Sequence, residues 1–313
     1  MKSNETLIAG IEQCHTLSDL AERFGSSVEG LREKIRLNIA TILDGAEIEF
    51  SELKPDIVER LKFLDGLEID IKTLFRFFES PEYWALEYSN TDDHVRNTKE
   101  RFPHPLYYAA RQCLDYILFP TYYLRRHAII TELARHFHVN DQIAFLDAGV
   151  GSGEITDVIL KRFPRSSGVG IDVIPENLEF TRRFLQRDSN DNRCSLQEMD
   201  FQNENVNIGS HHYDAIICSE VLEHLADPKK TIQLFAESLK ACGILIITVP
   251  LNDPGHEHLQ DFSEESFMGL VLQSFIVMKR VIMAWNGHCI NNPAGSAQSS
   301  ETIEHLFLVL QKQ

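Results

Sequence analysis

The sequence predicts an α/β protein: seven strands on a parallel sheet with helices on both faces, preceded by a helical N-terminal region. Three observations predict it. From Ile143 onward, short apolar runs alternate with amphipathic stretches of about ten to fifteen residues, the pattern of βαβ units. From Thr16 to Phe137 the apolar residues recur at helical spacing instead, as in Leu17, Leu20, Ala21 and Phe24, in Ile57, Leu61 and Leu64, and in Ile129, Leu133 and Phe137. The 313 residues are 43% apolar, enough to fill a sizeable core. The change of period places a domain boundary at 138/139, with helices over 1–138 and the sheet over 139–313.

In the first half, Ser26 with Glu29 reads as a capping box, and Ser80-Pro81 places a capping hydroxyl before a proline at the first helical position. The stretch 17–36 has a helix-turn-helix cadence with Gly25 in the turn, but Glu29 and Glu33 offset Arg32, Lys34 and Arg36 on its second helix, so it reads as a packing or dimerisation element. In the second half, strands are expected at about 143–148, 168–172, 194–199, 213–218, 243–249, 275–284 and 304–311. The clearest helices between them are Glu154 to Phe163, Pro175 to Arg187, Pro228 to Ala241 with Gly243 as its stop, and Glu264 to Leu272. Asn286 to Ser300, rich in Gly, Asn, Pro and Ser, reads as a loop.

Composition narrows the function. With 30 Lys+Arg against 47 Asp+Glu the chain carries −17, which argues against nucleic acid or an anionic membrane as partner. The longest apolar run, Ile244 to Leu251, is too short to span a bilayer, and no apolar stretch of signal-peptide length follows Met1, so a cytoplasmic location is expected. Cys14, Cys113, Cys194, Cys218, Cys242 and Cys289 form no CxxC pair and read as reduced structural thiols.

The most informative segment is Phe145-Leu146-Asp147-Ala148-Gly149-Val150-Gly151-Ser152-Gly153-Glu154, between an apolar strand and an amphipathic helix. Glycines at alternate positions let backbone approach a bulky ligand. A dinucleotide turn would carry its third glycine at 154; Glu stands there, and a carboxylate in that first turn repels a diphosphate. Asp147 suits a cationic ligand group in the same way. Asp172, in Gly170-Ile171-Asp172 at the end of the second strand, can accept both hydroxyls of a ribose. Asp200, in Met199-Asp200-Phe201, can accept from an adenine amino group, with Phe201 stacking on the ring.

With DAGVGSG, GID, MDF and YDAIICSEVLEHLADP in order, roughly Gln142 to Gln313 resembles the class I S-adenosylmethionine-dependent methyltransferases. The resemblance implies a Rossmann-like seven-stranded sheet ending in a hairpin-like pair. It also implies S-adenosylmethionine as cofactor, bordered by Asp147, Gly149, Gly151 and Gly153 at the methionine part, Asp172 at the ribose and Asp200 at the adenine, with Val173, Phe201 and Ser219 completing the set. Methyl transfer from a sulfonium is an in-line displacement in which placement and desolvation do most of the work.

After the fourth strand, Glu220, Glu223 and His224 would share one face if Ser219 to Leu225 is helical, and with His256 or His258 they would make an oxygen-and-nitrogen cation site. No metal is expected; the set Glu220, Glu223, His224 and His258 is the less favoured alternative. It resembles the E-x-x-E-H segment of RNA 3′-terminal 2′-O-methyltransferases and ubiquinone-pathway O-methyltransferases, which use a divalent ion. The polar loop 250–262 emerges from a strand's carboxyl end, and there His256 or His258 is the expected acceptor of the substrate's proton.

Seven of the eight tyrosines lie between Tyr83 and Tyr123, a cluster able to cover a planar or amphipathic acceptor. Arg125, Arg126 and His127 precede the first strand, where one of them can meet the cofactor's carboxylate. The expected enzyme therefore methylates a small metabolite or natural-product intermediate, at oxygen, with a homodimer through the N-terminal helices as its partner. The alternatives are a metal-assisted RNA 3′-terminal 2′-O-methyltransferase and a non-catalytic cofactor-binding regulatory subunit.

Overall fold

In the computed structural model the described residues are 2–15, 19, 23, 50–78, 104–118, 120–203, 206–253, 258–285 and 303–313. The chain divides into two units, Met1–Arg125 with Ala284–Thr302, and Arg126–Met283 with Ile303–Gln313. The cut falls inside a helix, ahead of the 138/139 boundary read from the sequence. Ser26, Glu29, the Ser80-Pro81 pair, Tyr83, Tyr88, Cys289, the loop 286–300 and all but two residues of the helix-turn-helix cadence lie outside the described residues.

The first unit contains helices α1 (Lys2–Glu12), α2 (Phe50–Gly66), α3 (Ile71–Phe78) and α4 (Tyr107–Leu118), and the start of α5 (Pro120–His136). Leu7, Ile11, Leu61, Leu64, Ile71, Leu74 and Ala110 are buried. Asn4 fixes the first helix to the turn before α3: its amide donates to Asp65 (3.0 Å) and to the Ile69 carbonyl (2.7 Å), and its oxygen accepts from Ile71 N. Arg60 is buried against Asp56 and lies over the Tyr116 ring, 5.9 Å from its centroid. No helix among the described residues is long and apolar enough to cross a membrane.

The second unit is a seven-stranded sheet in the order β3-β2-β1-β4-β5-β7-β6. Its strands are β1 (Ala144–Ala148), β2 (Ser167–Asp172), β3 (Cys194–Glu198), β4 (Tyr213–Ser219), β5 (Leu239–Leu251), β6 (Phe275–Trp285) and β7 (Ile303–Lys312). The first five are parallel, and β7 returns antiparallel to β5 with His305 opposite Pro250. Apolar runs in β1, β4, β5 and β7 are buried on both faces, as parallel-sheet strands are. Leu146, Ile216, Leu245, Ile247, Leu308 and Leu310 join Phe235, Phe267 and Phe275 in one core. The chain leaves β1 towards β2 and β3, then returns to β4 on the other flank. That reversal opens a crevice outside the carboxyl ends of β1 and β4.

Helices α6 (Glu154–Arg162), α7 (Pro175–Gln186), α8 (Pro228–Ser238) and α9 (Glu264–Val271) connect the strands. Asp227 caps α8 by accepting from Lys230 N, with Pro228 in the first turn, and Ser263 and Ser266 form a capping box on α9. Two expectations need correction. Helix α8 stops at Ser238 and not at Ala241, because Leu239 is already extended and pairs with Tyr213; the register then shifts before Ile244 pairs with Ala215, and Cys242 takes a left-handed φ of 61°. The segment after β4 is not an α-helix either: only Leu222–His224 forms a single 3-10 turn.

Gly168 of β2 stands opposite Phe145 of β1 and is covered by its ring. A Cβ there would come within 2.3 Å of the Phe145 ring. Gly168→Ala is therefore expected to destabilise the chain by about 1–3 kcal/mol while leaving cofactor affinity unchanged, since the pair sits at the amino ends of its strands. Thermal melts with and without S-adenosylhomocysteine check both halves of this expectation.

Candidate active site

The turn after β1 is held against the end of β2. Gly149 N and Val150 N both donate to the Ile171 carbonyl at 2.8 Å, Gly153 N donates to the Val150 carbonyl, and Thr181 Oγ1 of α7 donates to the Gly151 carbonyl at 2.8 Å. Gly149, Gly151 and Gly153 have φ of 80°, 53° and 81°, the left-handed region in which a side chain is strained. At two of them the immediate obstacle is the protein itself. A Cβ on Gly149 would sit 2.3 Å from Val221 Cγ2, and one on Gly153 2.7 Å from Thr181 Cγ2. Gly149→Ala is expected to weaken S-adenosylhomocysteine binding at least tenfold, and Gly149→Ala/Val221→Ala to recover part of that loss; calorimetry on both variants measures the coupling.

Two carboxylates frame this turn. Asp147 is buried, with Oδ2 accepting from Thr156 Oγ1 at 2.6 Å, and burial pushes its carboxyl up to about 7 against the hydroxyl's opposing pull. The other charge acting on it is Asp172, also negative. Asp172 Oδ2 accepts from Gly151 N at 2.9 Å and from the Asn177 amide at 3.3 Å, and its Oδ1 accepts from Ile174 N at 2.9 Å. Burial raises this carboxyl too, more than these donors lower it. Val173 presents its side chain to solvent, 60% exposed, and acts on Asp172 through its backbone N–H.

The other expected cofactor residues differ from one another. Asp200 is exposed and folds back to accept from Gln202 N. Phe201 does not present a face for stacking: the turn after β3 sends its ring into the core, edge-on to Phe235 with centroids 5.6 Å apart. Ser219 ends β4 with its hydroxyl 2.8 Å from Thr248 Oγ1 of β5. Glu154 is buried and 3.3 Å from Arg126, so its charge is balanced from α5 and is not turned on the loop. Arg125 lies over the Tyr122 ring, 4.7 Å from its centroid, and His127 is exposed.

Beyond β4 the four candidate cation ligands are split. Glu220 has a left-handed φ of 57°, its N–H donates to the Thr248 carbonyl, and its carboxylate is 2.9 Å from His305 Nδ1 of β7. Glu223, His224 and His258 come together, with one ligand atom from each within 4.8 Å of the others and the two rings 5.1 Å apart. The loop after β5 is pinned there by Leu259 N and Gln260 N on the Glu223 carbonyl and by Gln260 Nε2 on the Leu225 carbonyl. His258 Nδ1 lies 2.9 Å from the Asp253 carbonyl. A carbonyl only accepts, so Nδ1 carries the hydrogen and Nε2 keeps its lone pair. His256 lies outside the described residues.

Several residues of the site escaped the sequence. Thr156, Asn177 and Thr181 are unremarkable helical polar residues until the turn folds onto them. His305 had one available signal: it is the imidazole that opens the run His305-Leu306-Phe307-Leu308-Val309-Leu310, in which every residue is buried.

Residues 122–308 match a family model described as a methyltransferase domain. The malonyl-[acyl-carrier protein] O-methyltransferase of Priestia megaterium is 26% identical over 122 residues, 39% of this chain and 42% of that protein. The ubiquinone biosynthesis O-methyltransferase of Actinobacillus pleuropneumoniae is 31% identical over 105 residues, 33% of this chain and 44% of the relative. The mitochondrial ubiquinone biosynthesis O-methyltransferase of Rattus norvegicus is 35% identical over 109 residues, 33% of this chain and 29% of the relative. The chain thus spans less than half the length of each of these relatives. A match over more than half of this chain, on a sheet whose β1 turn is built of left-handed glycines between two buried carboxylates, settles the family: the chain belongs to the class I S-adenosylmethionine-dependent methyltransferases.

Proposed function

We propose that the chain transfers the methyl group of S-adenosylmethionine to an oxygen of a small-molecule acceptor. The observation that carries the reading is Asp147, a buried carboxylate with a pKa near 7 and no cation acting on it among the described residues, at the mouth of a left-handed glycine turn. Such a group is costly until a cationic ligand end meets it. The residues present fit the cofactor: Asp147 for its cationic methionine end, the glycine turn for close approach, and the Asp172 carboxylate at the end of β2 for the ribose. When bound, the cofactor supplies an electrophilic methyl on a sulfonium. The chain's own residues hold it at the β1/β4 crevice, exclude water and take the acceptor's proton. In this reading His256 or His258, from the loop that follows β5, takes that proton.

Oxygen as the acceptor atom is supported by the names of the relatives, which are O-methyltransferases acting on a malonyl carrier protein and in ubiquinone biosynthesis. The net charge of −17 disfavours an RNA terminus. In this reading the helical first half supplies acceptor specificity and a dimer contact, and the setting is the cytoplasm. Calorimetry with S-adenosylmethionine, S-adenosylhomocysteine and NAD tests the cofactor: both adenosyl ligands should bind and NAD should not. Radiolabelled methyl transfer to a panel of hydroxyl and carboxylate acceptors tests the reaction. Tight binding with no transfer to any acceptor would favour the regulatory-subunit alternative.

The gathering of Glu223, His224 and His258 favours a second reading, in which a divalent cation polarises the acceptor oxygen. Turnover is expected to survive EDTA. Turnover lost in EDTA, restored by Mn2+ and no longer restored by Mn2+ in Glu223→Gln would establish the metal-assisted reading instead.

A further inference from the structure

We propose that Thr156 is a positioning residue of the cofactor site: its hydroxyl holds the Asp147 carboxylate in place and keeps it charged for the cationic end of the ligand. The proposal deepens the methyl-transfer reading and rests on its cofactor. Three observations converge on the pair. First, helix α6 lacks the usual side chain at its start: its N-cap is Gly153, left-handed at φ 81°, with no side-chain cap. Thr156 is the third residue of that helix, a position whose N–H a capping side chain ordinarily meets. Asp147 takes that role from β1, accepting from the Thr156 backbone N–H as well as from its hydroxyl.

Second, the hydroxyl is committed. A helical threonine often returns its hydroxyl to a carbonyl one turn back. Thr156 Oγ1 instead donates across to Asp147 Oδ2 at 2.6 Å, with Thr156 fully buried and Asp147 2% exposed. Third, the other titratable groups that interact with Asp147 do not favour its charge. Asp172 of β2 is negative, and the thiols of Cys194 in β3 and Cys218 in β4 are pushed up by burial and stay neutral. Among the described residues, the two Thr156 donors are what opposes burial at this carboxyl.

Both donors stabilise the ionised form. Without the hydroxyl, burial is less opposed and the proton is held to a higher pH. A cationic ligand end prefers the carboxylate, so wherever the proton is held, binding must first expel it and the affinity falls. Thr156 thus sets the lower edge of the pH range in which the cofactor binds well.

The test uses three variants of the full chain: Thr156→Val, which keeps the β-branched shape and removes the donor, Thr156→Ala, and Thr156→Ser, which keeps the hydroxyl. Calorimetry with S-adenosylhomocysteine compares each with wild type at the same pH, so the ligand's own titration cancels. Thr156→Val should weaken binding about fivefold or more at pH 6.5 and less than about twofold at pH 8.5. Thr156→Ala should show the same contrast, and Thr156→Ser should recover most of the loss at pH 6.5. In an Asp147→Asn background, Thr156→Val should cost less than about twofold at either pH. An equal loss at both pH values would mark a merely structural role and overturns the proposal, as does wild-type affinity of Thr156→Val at pH 6.5.

A second readout needs no ligand. In 13C-carboxyl NMR of the ligand-free chain, with the Asp147 signal identified by its loss in Asp147→Asn, the wild-type midpoint should lie at about 7. Thr156→Val should raise it by about one pH unit or more; an unmoved midpoint overturns the proposal. Failure of the wild type to bind S-adenosylhomocysteine at any pH would remove the cofactor reading, and the affinity half of the proposal with it. The ligand-free titration still decides whether Thr156 keeps Asp147 charged.

Discussion

Asp172→Asn is expected to weaken S-adenosylhomocysteine binding by about a hundredfold or more and to lower the melting temperature of the ligand-free chain. The substitution looks isosteric, but each carboxylate oxygen accepts from an N–H: Gly151 N and Asn177 Nδ2 on one, Ile174 N on the other. An amide can satisfy only one side. Turned either way, it sets its own NH2 against a backbone donor, which leaves a buried donor unsatisfied at a cost of about 1–3 kcal/mol. The Gly151 donor belongs to the glycine turn, so the same mismatch disturbs the turn and removes the charge proposed to meet the ribose. A loss of about 2.7 kcal/mol in binding is a hundredfold in affinity. Isothermal titration and differential scanning calorimetry read the two effects. An Asn variant that binds within threefold of wild type would show that Asp172 neither shapes the turn nor meets the ligand.

The same residues explain what the sequence could and could not disclose. Strands β1, β4 and β5 were legible because parallel strands covered on both faces must be continuous apolar runs, and Asp147 and Asp172 were legible because each stands at or near the carboxyl end of its strand. Local period carries that information. It does not carry a contact such as Glu220 to His305, which depends on β7 turning back beside β5 and on a left-handed residue that is not glycine. Helical spacing suggested that Glu220, Glu223 and His224 share a face. Instead the Glu220 N–H is captured by Thr248, the helix never starts, and the Glu220 carboxylate leaves its neighbours. Phe201 failed for a related reason: its position after β3 was read correctly, but the side of the sheet to which the turn delivers its ring depends on Phe235, in a helix further along the chain. Glu154 looked like a charge facing the ligand because its partner, Arg126, lies on a helix of the preceding half.

Binding of S-adenosylhomocysteine should become tenfold weaker for each pH unit below about 7, and Asp147→Asn should flatten that dependence. The sign follows from the carboxyl's pKa of about 7, raised by burial. A ligand whose cationic end lies against Asp147 prefers the carboxylate, so below that pKa binding must first expel a proton, and the apparent affinity falls with one proton's slope. The ligand's own α-ammonium is that of a free amino acid, which titrates above this range, so it does not offset the slope. Linkage requires a second consequence in the ligand-free chain. An unfolded Asp releases its proton near pH 3.9, whereas the folded one holds it to about 7. The folded state therefore binds more protons between those values, and the contribution of Asp147 makes the chain less stable as pH rises from about 4 to about 7. Saturating ligand should reverse that trend, because it restores the carboxylate's partner. Titrations at pH 5.5, 6.5 and 7.5 in buffers of different ionisation enthalpy should show close to one proton released at the lowest pH and less than half at the highest. A pH-independent affinity with no proton release would mean that the cationic end of the ligand lies elsewhere, and the orientation proposed for the cofactor would have to be reversed.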